Sequence, residues 1–256
     1  MTTHSTGRFV WHELATPDVK KAVAFYSELF AWKTSEVDMG PGGKYTMLKS
    51  GETNVGGMTT NVAPPGVTGV PPHWRTYCTV QDVDVAARKA TELGGKVLMP
   101  AMDIPNVGRF AVVADPQGAV LMPFKDANEP PELEGPPAVG TFCWDELLTT
   151  DPAAAAKFYT QIYGWTVTEQ DMGPQGTYRV LKRAERMSGG IMKSPMPGIP
   201  PVWTAYVAVA SVDASTKRVE SLGGKVVVPP SDIPNMGRFS VFTDTTGATL
   251  CMFQGK

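Results

Sequence analysis

The chain repeats itself, and this duplication limits the possible folds more than any other feature. The stretch FVWHELATPD at Phe9–Asp18 returns as FCWDELLTTD at Phe142–Asp151, an offset of 133 positions (142 − 9). Further along, LGGKV returns unchanged and DIPNVGRF returns as DIPNMGRF, both at an offset of 129 positions (222 − 93). The second copy has therefore lost four residues (133 − 129). We place the loss in a loop between Met58 and Trp74, because loops absorb deletions and core elements do not.

The duplication predicts two domains joined by a linker. We expect the first domain at residues 1–126, the linker at 127–137 and the second domain at 138–256. The segment between the copies, KDANEPPELEGPPAVG, is acidic and proline-rich, which is typical of a stiff, exposed linker. A chain of 256 residues with 42% hydrophobic residues suits one or two globular domains.

Each copy contains one pattern twice: a strand, a helix and three further strands. In the first helix the apolar residues Val19, Ala22, Val23 and Tyr26 follow helical spacing, and we expect Thr16 to cap it. Four βαβββ modules result, which is an α+β fold class. A curled sheet with one helix cannot cover both of its faces. We therefore predict that the modules pair into two curved-sheet domains, each enclosing a cup.

Composition and charge exclude several classes of function. The net charge is −2 with Lys and Arg scattered, so we expect no nucleic-acid and no membrane partner. No signal segment or long apolar run is evident, and three cysteines are too few for a disulfide framework. These features predict a cytoplasmic protein with a small-molecule ligand, as a monomer or a homodimer.

Paired βαβββ units with FY and Trp after the first strand, and DPQGA at Asp115 before the last strand, resemble the vicinal oxygen chelate superfamily. Glyoxalase I, extradiol dioxygenases and bleomycin-resistance proteins have this fold. The doubled arrangement, with Trp in the first strand, is similar to a two-domain actinobacterial branch. The resemblance implies the fold but no single function, because the superfamily includes lyases, dioxygenases, epimerases and drug-binding proteins.

The resemblance also implies where metal ligands would lie, in the first strand of each unit and shortly after the DPxG motif. The implied positions are Trp11, Arg75 and Met122 in the first copy and Trp144, Thr204 and Cys251 in the second. A metal site of this kind needs two or three His or carboxylate donors that converge on one point. The resemblance therefore implies no metal ligands and no cofactor.

Strand alternation separates His12 from its neighbour Glu13. Trp11 and Glu13 share one face of the first strand, whereas His12 lies on the other. Adjacent His and Glu side chains cannot chelate one ion. A site formed by His73 and Glu13 is an alternative, although the second copy has Val202 where His73 would be.

The same alternation points Glu13 and Glu146 into the cups, and both are candidate catalytic residues. A carboxylate among aromatic rings is desolvated, which raises its pKa towards that of a general base. The alternative is a structural role as a hydrogen-bond acceptor. Arg75 can face and neutralise Glu13, whereas Thr204 occupies the matching position near Glu146. Glu146 is therefore the stronger candidate base.

The remaining candidates are predicted to bind the ligand. Aromatic and apolar side chains around one carboxylate suit a flat or aromatic molecule held by stacking and a few polar contacts. The predicted ligand-binding residues are Trp11, Arg75, Tyr77, Met122, Trp144, Thr204, Tyr206 and Cys251. We expect a metal-independent protein that sequesters a hydrophobic or aromatic molecule, or assists natural-product or electrophile metabolism. The alternatives are a lyase, isomerase or oxygenase-type enzyme that uses Glu146 or Glu13 as base, and a scaffold without a ligand.

Other residues that are repeated at equivalent positions of the two copies have structural interpretations. We expect Trp32 and Trp165 to pack a helix against a sheet. Trp74 and Trp203 begin strands and are expected at a rim or an interface. Arg109 and its counterpart Arg238 are expected to form ion pairs.

Overall fold

The computed structural model describes residues 6–40, 43–60, 69–128, 132, 135–196 and 198–256, and of residue 175 only the backbone. The elements of the first copy are β1 (Phe9–Thr16), α1 (Val19–Phe30), β2 (Lys33–Asp38), β3 (Lys44–Ser50), β4 (Thr53–Thr60), β5 (His73–Thr79), α2 (Val83–Glu92), β6 (Lys96–Ile104), β7 (Gly108–Ala114) and β8 (Val120–Asp126). Those of the second copy are β9 (Phe142–Thr149), α3 (Pro152–Tyr163), β10 (Thr166–Asp171), β11 (Thr177–Arg183), β12 (Arg186–Lys193), β13 (Val202–Ala208), α4 (Val212–Ser221), β14 (Lys225–Ile233), β15 (Gly237–Thr243) and β16 (Thr249–Gly255). A short 3-10 helix at Gly173–Gln175 lies between β10 and β11.

Each copy builds one eight-stranded sheet. The strand orders are β2-β3-β4-β1-β5-β8-β7-β6 and β10-β11-β12-β9-β13-β16-β15-β14. In every module the first strand runs parallel to the last, and the other pairs are antiparallel. The α+β class with four βαβββ modules paired into two sheets is therefore confirmed, and each sheet forms within one copy.

The two compact units of the chain do not coincide with its two sheets. Unit 1 comprises the described residues of Met1–Trp11, Thr76–Glu134 and Trp144–Trp203, and unit 2 comprises those of His12–Arg75, Gly135–Cys143 and Thr204–Lys256. Unit 1 thus takes one module from each copy, with α2 and α3 in one apolar core. Unit 2 takes the other two modules, and its core includes residues of α1 and α4. The predicted boundaries at 126 and 138 stay predictions.

Two sequence predictions fall wholly or partly outside the described residues. Residues 61–68, where we placed much of the loop that carries the deletion, are not described. In the predicted linker at 127–137, residues 129–131 and 133–134 also lie outside the described part. Of the described linker residues, Glu132 forms an ion pair with Arg183.

The prediction that Thr16 caps the first helix was wrong. Asp18 is the N-cap, and its carboxylate accepts a hydrogen bond from the Lys21 amide at 2.9 Å. The Thr16 hydroxyl instead accepts from the Asp18 amide at 3.3 Å, two residues too early to cap the helix. A carboxylate two residues further on reaches the exposed amides of the first turn, so Asp takes the capping position.

The aspartate of the DPQGA motif organises a tight turn. One oxygen of Asp115 accepts hydrogen bonds from the amides of Gln117 and Ala119, at 2.8 and 3.0 Å. Asp244 accepts in the same way from Thr246, Gly247 and Ala248 in the second copy. The motif is therefore explained by the turn before the last strand of each sheet.

The predicted packing role of Trp32 and Trp165 is confirmed. Both rings are buried in the cores, and each indole donates to a backbone carbonyl at 2.7 Å. The rim position expected for Trp74 and Trp203 was wrong, since both are buried in the same cores. The alternative, an interface position, fits the packing of each ring against an aromatic residue of the other copy, Phe142 for Trp74 and Phe9 for Trp203. Within unit 2, Trp74 packs against Tyr26 and Phe142, so its side of β5 faces the core.

The predicted ion pairs of Arg109 and Arg238 are confirmed. Arg109 bonds Asp84 at 2.9 Å and Asp103 at 2.9 Å. Arg238 repeats both contacts in the second copy, with Asp213 and Asp232. These contacts tie a helix start to the strand-turn-strand segment that carries the DIPN sequence.

Candidate functional site

The carboxylate of Glu146 lies on β9 beside a glycine of the neighbouring strand. Glu146 and Gly190 are partners in the parallel pairing of β9 with β12. Leu147, the next residue, points to the other face and is fully buried in the core of unit 1. Glu146 therefore lies on the opposite face from the helices, where the side chain is 8% exposed.

Gly190 makes room for a tyrosine hydroxyl next to this carboxylate. A Cβ atom at position 190 would lie 1.9 Å from the Tyr178 hydroxyl oxygen, which is closer than any real contact. With glycine there, the Tyr178 hydroxyl donates a hydrogen bond to Glu146 Oε1 at 2.8 Å. The absence of a side chain at 190 is thus a condition for the contact between Tyr178 and Glu146.

A third side chain extends the hydrogen bonding within unit 1. The indole Nε1 of Trp144 donates to the Tyr178 hydroxyl oxygen at 2.9 Å. Trp144 and Glu146 are two residues apart on β9 and share one face. The three form a chain of donors that runs from Trp144 to Tyr178 to Glu146, which we call the Glu146 chain.

The direction of this chain is set by chemistry as well as geometry. An indole N–H can only donate, so the Tyr178 oxygen accepts and its own proton is directed to Glu146. Burial raises the pKa of Tyr178, and the charge of Glu146 raises that pKa further. Tyr178 therefore stays a neutral phenol at ordinary pH, and Glu146 is the acceptor at the end of the chain.

The corresponding carboxylate of unit 2, Glu13, has the same glycine neighbour. Glu13 pairs with Gly57 across β1 and β4, and a Cβ at position 57 would lie 2.2 Å from the Tyr45 hydroxyl. A second partner distinguishes this copy, since Arg75 NH1 donates to Glu13 Oε1 at 3.1 Å. The predicted approach of Arg75 to Glu13 is confirmed.

His73 extends the polar contacts of Glu13 through the arginine. Its Nε2 accepts from Arg75 Nε at 3.3 Å, and its Nδ1 donates to the Pro71 carbonyl at 2.8 Å. Burial lowers the pKa of His73, as does the charge of Arg75, while the bond to Pro71 acts in the opposite direction. The guanidinium of Arg75 thus bonds both of the residues considered for an alternative metal site, His73 and Glu13.

His12 lies on the core side of β1. Its ring stacks on Phe142 with a centroid distance of 3.8 Å, and it is 4% exposed. In the second copy Asp145 takes the place of His12 and accepts from the Thr76 hydroxyl at 3.3 Å. The predicted separation of His12 and Glu13 onto opposite faces holds in the structure.

The structure brings the other predicted ligand-binding residues together in pairs. In unit 1, Trp11 packs against a cluster that contains Tyr77 and Met122, which are partners across β5 and β8. In unit 2, Tyr206 and Cys251 are partners across β13 and β16, and Thr204 is half-buried on the same strand as Tyr206. Their roles in binding a ligand stay predictions.

Sequence analysis missed Tyr178 and Tyr45. The signal that could have found them is the Gly-Gly pair of β4 and β12, because glycine inside a strand marks a close approach by another group. Of each pair, the first glycine meets a backbone carbonyl and the second meets the tyrosine hydroxyl. The repeated GGM and GGI segments therefore encode the position of a tyrosine.

The described residues contain neither a cluster of metal-ligating side chains nor a membrane-spanning helix. These residues contain no group of three or more His, Cys, Asp or Glu placed to hold a metal ion. No helix in this part of the chain is long and apolar enough to cross a membrane.

Comparison with known sequences gives matches over nearly the whole chain. A family model described as "Glyoxalase/Bleomycin resistance protein/Dioxygenase superfamily" matches residues 8–122 and 142–252. "Putative glyoxylase CFP32" of Mycobacterium bovis is 38% identical over 246 residues, which cover 95% of this chain and 93% of that protein. "Anthracycline biosynthesis protein DnrV" of Streptomyces peucetius is 32% identical, covering 97% of this chain and 93% of the relative.

Solved structures share the fold at low sequence identity. The 2,3-dioxygenase LapB from Pseudomonas sp. KL28 superposes with a TM-score of 0.64 at 14% identity, covering 98% of this chain and 93% of that chain. The Mn(II)-bound glyoxalase from Novosphingobium aromaticivorans gives a TM-score of 0.61 at 16% identity, covering 98% of this chain and 82% of that chain. At these identities the likeness concerns the fold alone.

Proposed function

The chain belongs to the Glyoxalase/Bleomycin resistance protein/Dioxygenase superfamily, and from that premise we propose that it binds a hydrophobic or aromatic small molecule without a metal ion. The observation that carries the proposal is the Glu146 chain, in which Trp144 donates to Tyr178 and Tyr178 donates to the Glu146 carboxylate. An apolar wall with a few fixed polar groups is the usual composition of a small-molecule site. Sequestration of the molecule, or an accessory role in its metabolism, is the resulting function.

The donor chemistry of unit 2 supports the metal-free part of this proposal. Arg75 stands at a position that the superfamily resemblance assigns to a metal ligand, and it is a cation bonded to Glu13. A guanidinium repels a metal ion and occupies the carboxylate that would bind one. The residues found there do not fit a divalent metal, and we derive no step through one.

The names of the relatives suggest two contexts for such binding. The Streptomyces peucetius relative is named for anthracycline biosynthesis, and the Mycobacterium bovis relative is named a glyoxylase. By extension, we propose that the ligand of this chain is an aromatic product of secondary metabolism or a reactive electrophile.

The second candidate function is catalysis with Glu146 as general base. One observation favours Glu146 over Glu13 in that role, since Glu13 is bonded to a guanidinium and Glu146 to a neutral phenol. A neighbouring cation favours the charged form of a carboxylate more strongly than a neutral phenol donor does. A Glu146→Gln protein that converts substrate at the wild-type rate would remove Glu146 from the mechanism.

The test of binding uses 1-naphthol, a flat apolar molecule with one O–H donor for Glu146. We expect saturable binding by isothermal titration calorimetry in the presence of EDTA. Because a hydrogen bond to a charged group is lost, Glu146→Gln should weaken binding by about tenfold. Glu13→Gln is the matched control and should leave the affinity nearly unchanged.

Two results would overturn the proposal. One is binding of 1-naphthol that requires added Mn²⁺, Ni²⁺ or Zn²⁺, together with stoichiometric metal in the purified protein. The other is equal affinity of the wild-type and Glu146→Gln proteins, which would detach binding from the Glu146 chain.

A further inference from the structure

The side chain of Arg75 in unit 2 is held from two directions. Its Nε donates to His73 Nε2 at 3.3 Å, and its NH1 donates to Glu13 Oε1 at 3.1 Å. The Arg75 side chain is nevertheless 22% exposed, so part of this side chain is reachable by a small molecule. Glu13 is more enclosed, at 11%.

The contact with Pro71 fixes how His73 serves the arginine. Because Nδ1 donates to the Pro71 carbonyl at 2.8 Å, Nε2 carries the lone pair that accepts from Arg75. Burial lowers the pKa of His73, so the neutral ring is the stable form near neutral pH. His73 thereby orients the guanidinium plane without adding charge.

The guanidinium has donors beyond those two bonds. Arginine carries five N–H groups in a rigid plane, and the bonds to His73 and Glu13 engage two of them. The described residues provide no further hydrogen-bond acceptor to Arg75. Within the described part of the chain, three donors in a fixed plane therefore have no acceptor and can serve a ligand that approaches the exposed side chain.

The charges of this pair select among possible ligands. Arg75 and Glu13 together are neutral, so an anionic ligand at Arg75 would lie close to the Glu13 carboxylate and be repelled. A cationic ligand would be repelled by the guanidinium itself. A neutral molecule with an oxygen acceptor has neither penalty and satisfies the remaining donors.

We propose that Arg75 anchors a second ligand site, which takes the carbonyl oxygen of a neutral aromatic molecule, and that His73 is its positioning residue. This inference rests on the proposed function and names a ligand class for the Arg75 site of unit 2. The second copy has Thr204 and Val202 at the corresponding positions, so this site is particular to the first copy.

The experiment uses acetophenone, which accepts hydrogen bonds and donates none. Acetophenone is titrated into ¹⁵N-labelled full-length protein, and the Arg75 Nε–H signal is followed by NMR, assigned from its loss in Arg75→Lys. We expect a saturable shift of this signal with acetophenone. Benzoate and benzylammonium, which carry the same ring with opposite charges, should bind at least about tenfold more weakly.

Two variants separate anchoring from positioning. Arg75→Lys keeps a cation for Glu13, which protects folding, but removes the planar fork, and acetophenone should bind about tenfold more weakly. His73→Val introduces the residue of the second copy and should weaken binding less.

The pH profile distinguishes a positioning role from a merely structural one. The groups that face His73 are the Arg75 guanidinium and the Pro71 carbonyl, with Glu13 beyond the arginine. Once protonated, His73 Nε2 becomes a donor and repels Arg75. Acetophenone affinity should therefore fall as wild-type protein is acidified from pH 8 to 5.5, and the His73→Val protein should lack this dependence.

The possible outcomes separate the two proposals. If 1-naphthol binds through Glu146 but acetophenone leaves the Arg75 signal unmoved, the inference about Arg75 is overturned and the proposed function stands. If neither probe binds, both fail. Tighter binding of benzoate than of acetophenone would overturn the assignment of a neutral ligand.

Discussion

Glu146 of unit 1 and Glu13 of unit 2 occupy equivalent positions of the two copies, each beside a glycine and each near a tyrosine hydroxyl. The side chains that donate to these two carboxylates include different residue types. Glu146 receives a phenol backed by an indole, whereas Glu13 receives a guanidinium backed by an imidazole. Duplication has kept the scaffold that places the carboxylate and has changed the residues that set its charge balance. Under our two proposals, the first copy donates to a ligand through Arg75 and the second accepts from one through Glu146.

The largest predicted effect is on the ion pair of the first copy. Arg75→Met leaves the enclosed Glu13 charge without its guanidinium, so the free energy of unfolding should fall by about 3 kcal/mol in urea denaturation. Thr204→Met at the corresponding position should cost less than about 1 kcal/mol. The double variant Glu13→Gln/Arg75→Met should regain most of the loss. Equal stability of the single and double variants would contradict an energetic link between the two residues.

The next effect concerns the glycine of the second copy. A methyl group at position 190 would lie 1.9 Å from the Tyr178 hydroxyl, so Gly190→Ala should lower the free energy of unfolding by about 2 kcal/mol. In a Tyr178→Ala background the same substitution should cost far less, because the clash has been removed. An unchanged cost in that background would show that Tyr178 is not the obstacle.

A smaller effect is expected when the phenol hydroxyl alone is removed. Tyr178→Phe withdraws a donor from an enclosed carboxylate, so the free energy of unfolding should fall by about 1.5 kcal/mol. Thermal and urea denaturation measure this loss. A Tyr178→Phe protein as stable as the wild type would mean that the contact with Glu146 has no net stabilising effect.

The smallest effect depends on pH and involves the first copy only. The pKa of His73 is lowered in the folded chain, so the unfolded chain takes up a proton first as the pH falls. Stability should therefore decrease below about pH 6.5, the usual value for histidine, by up to about 1 kcal/mol. Urea midpoints at pH 8 and 5.5 should differ more for the wild type than for His73→Val. An identical pH dependence of the two proteins would exclude His73 as its source.

Much of the fold follows from local patterns, which is why it was predictable. The repeat and the helical spacing of α1 can both be read directly from the sequence, and both were recovered in the structure. Trp74 was misjudged because burial depends on which face of β5 meets the core. That face is set by packing against residues that are distant in the sequence.

The candidate site was predictable only in part, for a related reason. The contact between Arg75 and Glu13 follows from strand alternation and the implied order of the strands. Tyr178 lies 32 residues from Glu146 and reaches it only because Gly190 lies between them in the sheet. A three-strand relation of this kind needs the register of the strands, which periodicity alone does not supply.

The most direct measurement is a crystal structure of the protein with 1-naphthol. We predict the naphthol hydroxyl within hydrogen-bonding distance of a Glu146 carboxylate oxygen, about 2.5–3.0 Å, with the Trp144–Tyr178–Glu146 bonds retained. A naphthol ring bound elsewhere, or coordinated to a metal ion in place of Glu146, would contradict the role of the Glu146 chain in ligand binding.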